Sequence, residues 1–261
     1  MAHSQDKHSA LGQGVTIFIY LAILTLLEYF VAVSFNATSL LVVMAVSKAA
    51  LVMYYYMHIY KLGADDGADP HSYAYKTGTN RFGLWLFLLS DGFVFAGLLA
   101  TRINLLGFTR PHQLSQILGL GVTAVLLISS FFMNRGETAM KYGDRKGFML
   151  NTAITFLLGL GFFIGVIFVE WRLAAAEGLT ASFGNPADGP MGAVFYIMTG
   201  MHAFHVLTGL IFLYVVWNNA RKGVYTAEKH WGVEAAAVYW HFVDLVWIFF
   251  YPALYLIGTA V

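Results

Sequence analysis

Residues 148–171 read FMLNTAITFLLGLGFFIGVIFVEW, twenty-four residues in which Glu170 is the only ionisable side chain. At 1.5 Å of rise per residue such a run makes a helix of about 36 Å, enough to cross a hydrocarbon core of roughly 30 Å. Six further apolar runs, bounded by charge or by Gly/Pro clusters, lie near residues 15–34, 38–60, 82–101, 113–133, 191–217 and 233–257. The pattern predicts an all-α polytopic membrane protein with seven transmembrane helices.

Composition agrees. Of the 261 residues 59% are hydrophobic and 11% are charged, against about 25% charged in a typical soluble domain. Too little polar surface is left to cover a water-soluble globule of this length. The chain has no cysteine, which excludes disulfides, thiolate metal sites, iron–sulfur clusters and cysteine nucleophiles. A net charge of +1 offers no surface for a polyanion, so nucleic acid is not an expected partner.

Basic residues give the orientation, since Lys and Arg accumulate in cytoplasmic loops. With the N-terminus inside, the cytoplasmic set is Lys7, Lys61, Lys76, Arg81, Arg135, Lys141, Arg145, Lys146, Arg221, Lys222 and Lys229. The other side receives only Arg102, Arg110 and Arg172, and Lys48 is within a span. The expectation is N-terminus cytoplasmic and C-terminus outside. The polar first fourteen residues and the lack of a small-residue cleavage site argue against a removed signal peptide. The short turn Ser34–Thr38 makes the first two helices a hairpin, and the polar stretch from Lys61 to Asn80, with Gly63, Asp65, Asp66, Gly67, Asp69 and Pro70, reads as a linker. The expected division is a two-helix hairpin at 1–62, a linker at 63–80 and a five-helix bundle at 81–261.

Ionisable groups inside spans are each a functional hypothesis: here Glu28, Lys48, His58, Asp91, Glu170, His202, His205, Glu234, His241 and Asp244. His58, Glu170 and Glu234 are close enough to helix ends to snorkel. Asp91, about ten residues into its span, must be protonated, paired or hydrated, and reads either as a proton-carrying group or as packing glue between helices. His202 and His205 share a helical face with Gly209. Haem or metal ligation would need partners on facing helices; the one other mid-span histidine is His241, and no Glu-x-x-His repeat is present. The six residues Glu170, His202, His205, Glu234, His241 and Asp244 are therefore read as a polar interhelical network, and no metal site is expected. Glu28 and Lys48 differ in depth by roughly 6 Å, so they form an ion pair inside the hairpin or each face another subunit. Arg221 and Lys222, at the end of the sixth span, suit anionic lipid head groups or simply mark topology. The last helix has no Schiff-base lysine for retinal, and the two-plus-five layout lacks the related halves of a transporter.

The segment His230–Trp247, HWGVEAAAVYWHFVDLVW, closely resembles the last helix of cytochrome c oxidase subunit III. Thr199–Val206 (TGMHAFHV), followed by Thr208-Gly209, is similar to that family's Gly-Phe-His-x-x-His helix. Gly143-Asp144-Arg145-Lys146 and Glu170-Trp171 resemble its loop and its Glu-aromatic pair, and Trp85–Gly97 resembles its helix with a mid-membrane Ser-Glu, here Ser90-Asp91 and one methylene shorter. Residues 14–60 resemble something else: Lys48-Ala49-Ala50-Leu51-Val52, Tyr56-Met57-His58 and Leu24–Glu28 are similar to the small prokaryotic cytochrome oxidase subunit IV. The resemblance implies a non-catalytic subunit III, fused to a subunit-IV-like hairpin, of a bacterial haem-copper oxidase that reduces oxygen to water and pumps protons. It implies haem and copper in partner subunits I and II and no cofactor in this chain. It also implies direct contact with subunit I, further contacts with subunit II and other small subunits, bound phospholipid, and a place in the bacterial inner membrane. Cytochrome c is the expected donor. The alternatives are subunit III of a quinol oxidase, an accessory protein of nitric oxide reductase, and an independent haem-binding membrane protein.

Overall fold

A computed structural model of the chain describes residues 2–35, 37–63, 69, 71–182 and 189–260. Seven of its helices are long and apolar enough to cross a membrane: α1 (Ala2–Phe35), then α2 (Thr38–Tyr56), α3 (Tyr73–Leu106), α4 (Gln116–Lys141), α5 (Arg145–Ala176), α6 (Met191–Arg221) and α7 (Trp231–Leu256). The all-α architecture expected from hydropathy is what the chain adopts.

The helices overrun the apolar segments. α1 starts well before residue 15, and α3 starts at Tyr73 rather than 82, so the second half of the expected linker is helix. Hydropathy misses these turns because a helix outside lipid needs caps rather than apolar residues. The Ser72 hydroxyl caps α3 by accepting from the Tyr75 N–H, and the Asp144 carboxylate caps α5 by accepting from the Gly147 N–H. Asp144 also takes a hydrogen bond from Lys7 Nζ at 2.8 Å, which ties the start of α1 to the α4–α5 turn. The rest of the expected linker, residues 64–68 and Pro70, is outside the described residues, as is Asn36 of the first turn.

α2, α5 and α7 each contain one π turn, at Val52–Tyr56, Gly165–Glu170 and Pro252–Leu256. Such a turn inserts a residue into the helical ladder and rotates the remainder of the helix about its axis. In α7 the cause is Pro252, which has no N–H to give.

α7 is the axis of the bundle. Within its most apolar window 83% of residues are buried, against 11% for α3, so α3 lies on the rim. α7 packs on α2, α3, α4 and α6, while α1 lies across α2 and α4. Two tryptophans lock α7 to α4: Trp240 Nε1 donates to Ser129 Oγ at 3.1 Å and Trp247 Nε1 to Thr123 Oγ1 at 2.9 Å. Gly159 and Gly209 make room for the Trp240 ring, which a Cβ at either position would strike. Small residues of this kind let membrane helices approach closely. At the far end, Thr109–Arg110 pairs in parallel with Thr259–Ala260. Arg102 secures that end by donating to the carbonyls of Gly107, Thr109 and Ile257.

Lys48 Nζ and Glu28 Oε2 are 2.5 Å apart, with side chains 2% and 0% exposed. Removing one member of a buried pair strands the other charge at a cost of about 3–5 kcal/mol. Lys48→Met alone should therefore abolish or sharply lower recovery of the folded chain, and Glu28→Leu added to it should restore most of the loss. Detergent-resistant yield and thermal midpoint measure both; a double variant no better than the single one would show that the pair is not a unit.

Candidate functional site

The intramembrane ionisable residues fall into separate groups around α7. On its α3–α6 side, His205 Nε2 lies 3.3 Å from Asp91 Oδ1 and 3.1 Å from Oδ2. The other ring nitrogen, Nδ1, is 2.8 Å from the Met201 carbonyl, which can only accept, so Nδ1 carries a proton. Nε2 is then placed to share a proton with the carboxyl, as imidazolium with carboxylate or as imidazole with carboxylic acid. Both forms have zero net charge. Asp91 is thus paired, which is one of the three states a mid-membrane carboxyl can tolerate. The edge of the Phe95 ring, 4.7 Å from the imidazole, fixes its tilt. The two side chains retain 10% and 15% exposure, so the pair sits at the outer edge of the bundle.

At the end rich in Lys and Arg, hereafter the basic end, Glu234 receives Arg81 in a forked contact, Nε to Oε1 at 3.0 Å and Nη2 to Oε2 at 3.3 Å. Lys61 Nζ adds a second cation at 3.8 Å. Beside it His58 Nδ1 is 3.9 Å from Glu137 Oε1. His58 has φ +52°, the only non-glycine residue with positive φ among those described, a strained backbone that turns its ring inward. Burial, with Lys61 adding to it, lowers the His58 imidazole to about 4.

Deeper in the bundle His241 faces Tyr56, ring centroids 5.0 Å apart, and Asp244 faces Ser130. His202 is enclosed instead by aromatic rings, Trp247 at 4.9 Å and Phe162 at 5.5 Å. Glu170 is buried at the far end beside Tyr255. The six residues read as one network are therefore dispersed. His205 is joined to Asp91 and Glu234 to Arg81 and Lys61, His241 and Asp244 share an inner face of α7, and His202 and Glu170 each stand apart. Among the described residues no three His, Asp or Glu side chains converge as a metal site would require.

Sequence reasoning misses Arg81, Glu137 and the inward turn of His58. Arg81 counts in the sequence only as a topological charge, and Glu137 lies beyond the apolar run expected for α4. The equal mid-span depth of Asp91 and His205 is the one available signal for their pairing.

Arg221 lies with its guanidinium 5.6 Å from the centre of the Trp217 ring, and its carbonyl accepts from Arg145. Trp217 closes the basic end of an apolar groove of about 240 Å³ between α5 and α6, lined by Phe156, Leu157, Leu213 and Tyr214. A second apolar groove of about 550 Å³ runs between the end of α2, α3 and α7, past Met57, Trp85 and Phe242. Both have the shape and lining to take an acyl chain.

The pH dependence of stability is set in part by His58. In an unfolded chain a histidine binds its proton near 6.5, whereas here it does so only near 4. The unfolded state therefore holds more protons between those values, and stability present above about pH 6.5 is lost as pH falls toward 4, by at most about 3 kcal/mol. His58→Gln should make the thermal midpoint fall less steeply from pH 7 to 4.5. An identical slope would show that His58 does not titrate against folding.

The chain matches the family model described as Cytochrome c oxidase subunit III over residues 7–259. Cytochrome c oxidase subunit 3 of Oryctolagus cuniculus is 33% identical over 237 residues, covering 86% of each chain. The Synechocystis protein of the same name is 32% identical, covering 72% of this chain and 80% of its own. That of Thermostichus vulcanus is 36% identical, covering 67% and 86%.

Proposed function

The chain belongs to the cytochrome c oxidase subunit III family, and from that premise we propose that it is the non-catalytic subunit III of a bacterial proton-pumping haem-copper oxidase with cytochrome c as donor. The observation that carries its role is the Asp91–His205 pair. A pair that keeps one proton between two side chains, mid-membrane and at the rim, is suited to exchanging that proton with a neighbouring subunit. Its residual exposure calls for a protein cover, because lipid gives polar groups no partner. Subunit I is the neighbour this reading places against α3 and α6, with subunit II and small subunits in the same complex.

Haem and copper are assigned to subunits I and II. The donors of this chain do not fit either group, since the rings of Trp247 and Phe162 occupy the space beside His202 and His241 faces Tyr56. In this reading the N-terminus and the basic end are cytoplasmic, the complex lies in the bacterial inner membrane, and residues 1–62 are a subunit-IV-like hairpin joined to the five-helix bundle. Phospholipid fills the grooves, with Arg221 and Lys222 at the head group beside Trp217. Two cations at that depth favour an anionic lipid.

Purification through a tag on this chain tests the assignment. The expected result is a haem-copper subunit I with cytochrome c oxidase activity and retained phospholipid, less of it in Arg221→Gln/Lys222→Gln. Recovery of a quinol-oxidising or nitric-oxide-reducing catalytic subunit, or a haem spectrum from this chain alone, would overturn it. Unchanged lipid in the double variant would remove the head-group role.

Asp91→Asn separates proton exchange from packing. The Asn amide can still donate to a neutral His205 Nε2, so assembly should be kept while the shared proton is lost. Oxygen consumption should then fall by about threefold, ~0.7 kcal/mol in barrier, at high pH where protons are scarce, and Asp91→Glu should restore it. Equal rate, pumping and lifetime across pH would reduce the pair to glue between α3 and α6.

A further inference from the structure

At the basic end the space between α1, the end of α2 and α4 is a partly open polar cavity of about 120 Å³, lined by Gln13, Gly14, Tyr56, His58, Asn134 and Glu137. A site for one water needs only about 10–15 Å³ on this measure, so the cavity has room for several. Its walls are built to leave that room. A Cβ on Gly14 would press on the Asn134 amide, and the Tyr56 hydroxyl is held aside by donating to the Gly14 carbonyl at 3.3 Å.

The floor of the cavity continues inward as side chains rather than as apolar packing. Glu137, Asn134 and Ser130 stand three and four residues apart on one stripe of α4. The stripe descends about 10 Å from Glu137 to Ser130. Across from it are His58, then Tyr56 against His241, then Asp244 facing Ser130, with the Lys48–Glu28 pair beyond. Several polar atoms at these levels have no hydrogen-bond partner among the described residues: Glu137 Oε2, His58 Nδ1 and both ring nitrogens of His241. Glu137, His241 and Asp244 are buried to better than nine-tenths. Leaving such groups unsatisfied costs about 1–3 kcal/mol each, and most buried polar groups in proteins are in fact bonded. A small molecule that both donates and accepts, placed within reach of several of them, satisfies the set.

We propose that the basic end opens into an aqueous inlet within this chain, along which water and hydronium reach His241 and Asp244. The groups facing Glu137 at its mouth are His58 and Lys61, Lys141 on its own helix, Arg81 from α3, Glu234 from α7, and Tyr60. They give the mouth both signs of charge and several sites at which a proton can rest. The inlet is separate from the Asp91–His205 pair. Taken as pairs, His241 and Asp244 point about 160° around α7 from Tyr239 and Phe242, the residues that lie toward His205 and Phe95. It stands on the cavity and the side chains alone, so it survives if the assignment to an oxidase fails.

The absence of native cysteine makes an introduced thiol a unique reporter on this chain. Asn134→Cys is placed in the inlet and Ser130→Cys at its inner end. Thr155→Cys is the control, a buried position on α5 whose hydroxyl bonds the carbonyls of Ser129 and Asn151. The purified complex is exposed to silver ion, a compact thiol-reactive cation that travels through water. After denaturation, the thiol still free to take a maleimide on this chain is measured by mass. Asn134→Cys and Ser130→Cys should be consumed at least tenfold faster than Thr155→Cys, and Gly14→Leu, whose side chain is forced against Asn134 at the cavity wall, should slow Ser130→Cys about tenfold. Thr138→Cys, also on the cavity wall, takes the place of Asn134→Cys if that variant does not assemble. Inlet thiols no faster than the control would overturn the proposal. A Ser130→Cys rate unaffected by Gly14→Leu would likewise overturn it, because water would then be arriving by another route.

Discussion

A helix bearing Glu234, Trp240, His241, Asp244 and Trp247 cannot face lipid, where none of these groups finds a hydrogen-bond partner, and the bundle is organised around its burial. α4 provides Ser129 and Thr123 for the two indole N–H groups, and α5 and α6 provide the glycines that let Trp240 in. α3 supplies Arg81 for Glu234. Each of these neighbours of α7 is thereby fixed by a specific contact as well as by general apolar packing. That matters in a membrane, where helices gain little from hiding apolar surface from solvent that is itself apolar.

The same burial separates two proton-bearing systems by one helix diameter. On the outer face of α7, Asp91 and His205 hold one proton between them and retain some exposure at the rim. On the inner face, His241 and Asp244 lie below the polar cavity of α1, α2 and α4. The first is closed on itself, since the Met201 carbonyl takes the remaining imidazole proton. The second has atoms in need of partners. Their chemistry differs accordingly: the pair can pass one proton to something beside it, whereas the inner groups exchange with whatever enters from the basic end.

Seven spans and the helical class were legible because lipid imposes a length and a composition that hydropathy reads directly. The ends of α1 and α3 were not, since Ser72, Lys7 and Asp144 set them by capping and ion pairing, and such residues occur in loops as well. The Glu28–Lys48 contact could be anticipated because a tight turn fixes the relative depth of two helices, and depth was enough. Asp91 and His205 needed more. Their contact depends on the rotation of α3 against α6, which no local pattern encodes. Glu137 and His58 were hidden for a further reason: a π turn and a positive φ redirect the chain after Val52, so a histidine expected to snorkel outward is turned inward.

α3 is the span that the bundle buries least, 11% of its most apolar stretch against 28% for α1 and α5. Phe82, Leu86, Leu89 and Phe93, all exposed, line the groove that α3 makes with the end of α2 and with α7, and those apolar side chains alone would be content in lipid. Asp91 lies on the opposite side of the same helix, about 160° around from Phe93, and joins it to His205. Arg81 and Glu234 anchor the same helix to α7. On the proposed reading, subunit I docks against α3 and covers the Asp91–His205 pair, which retains 15% and 10% exposure in this chain.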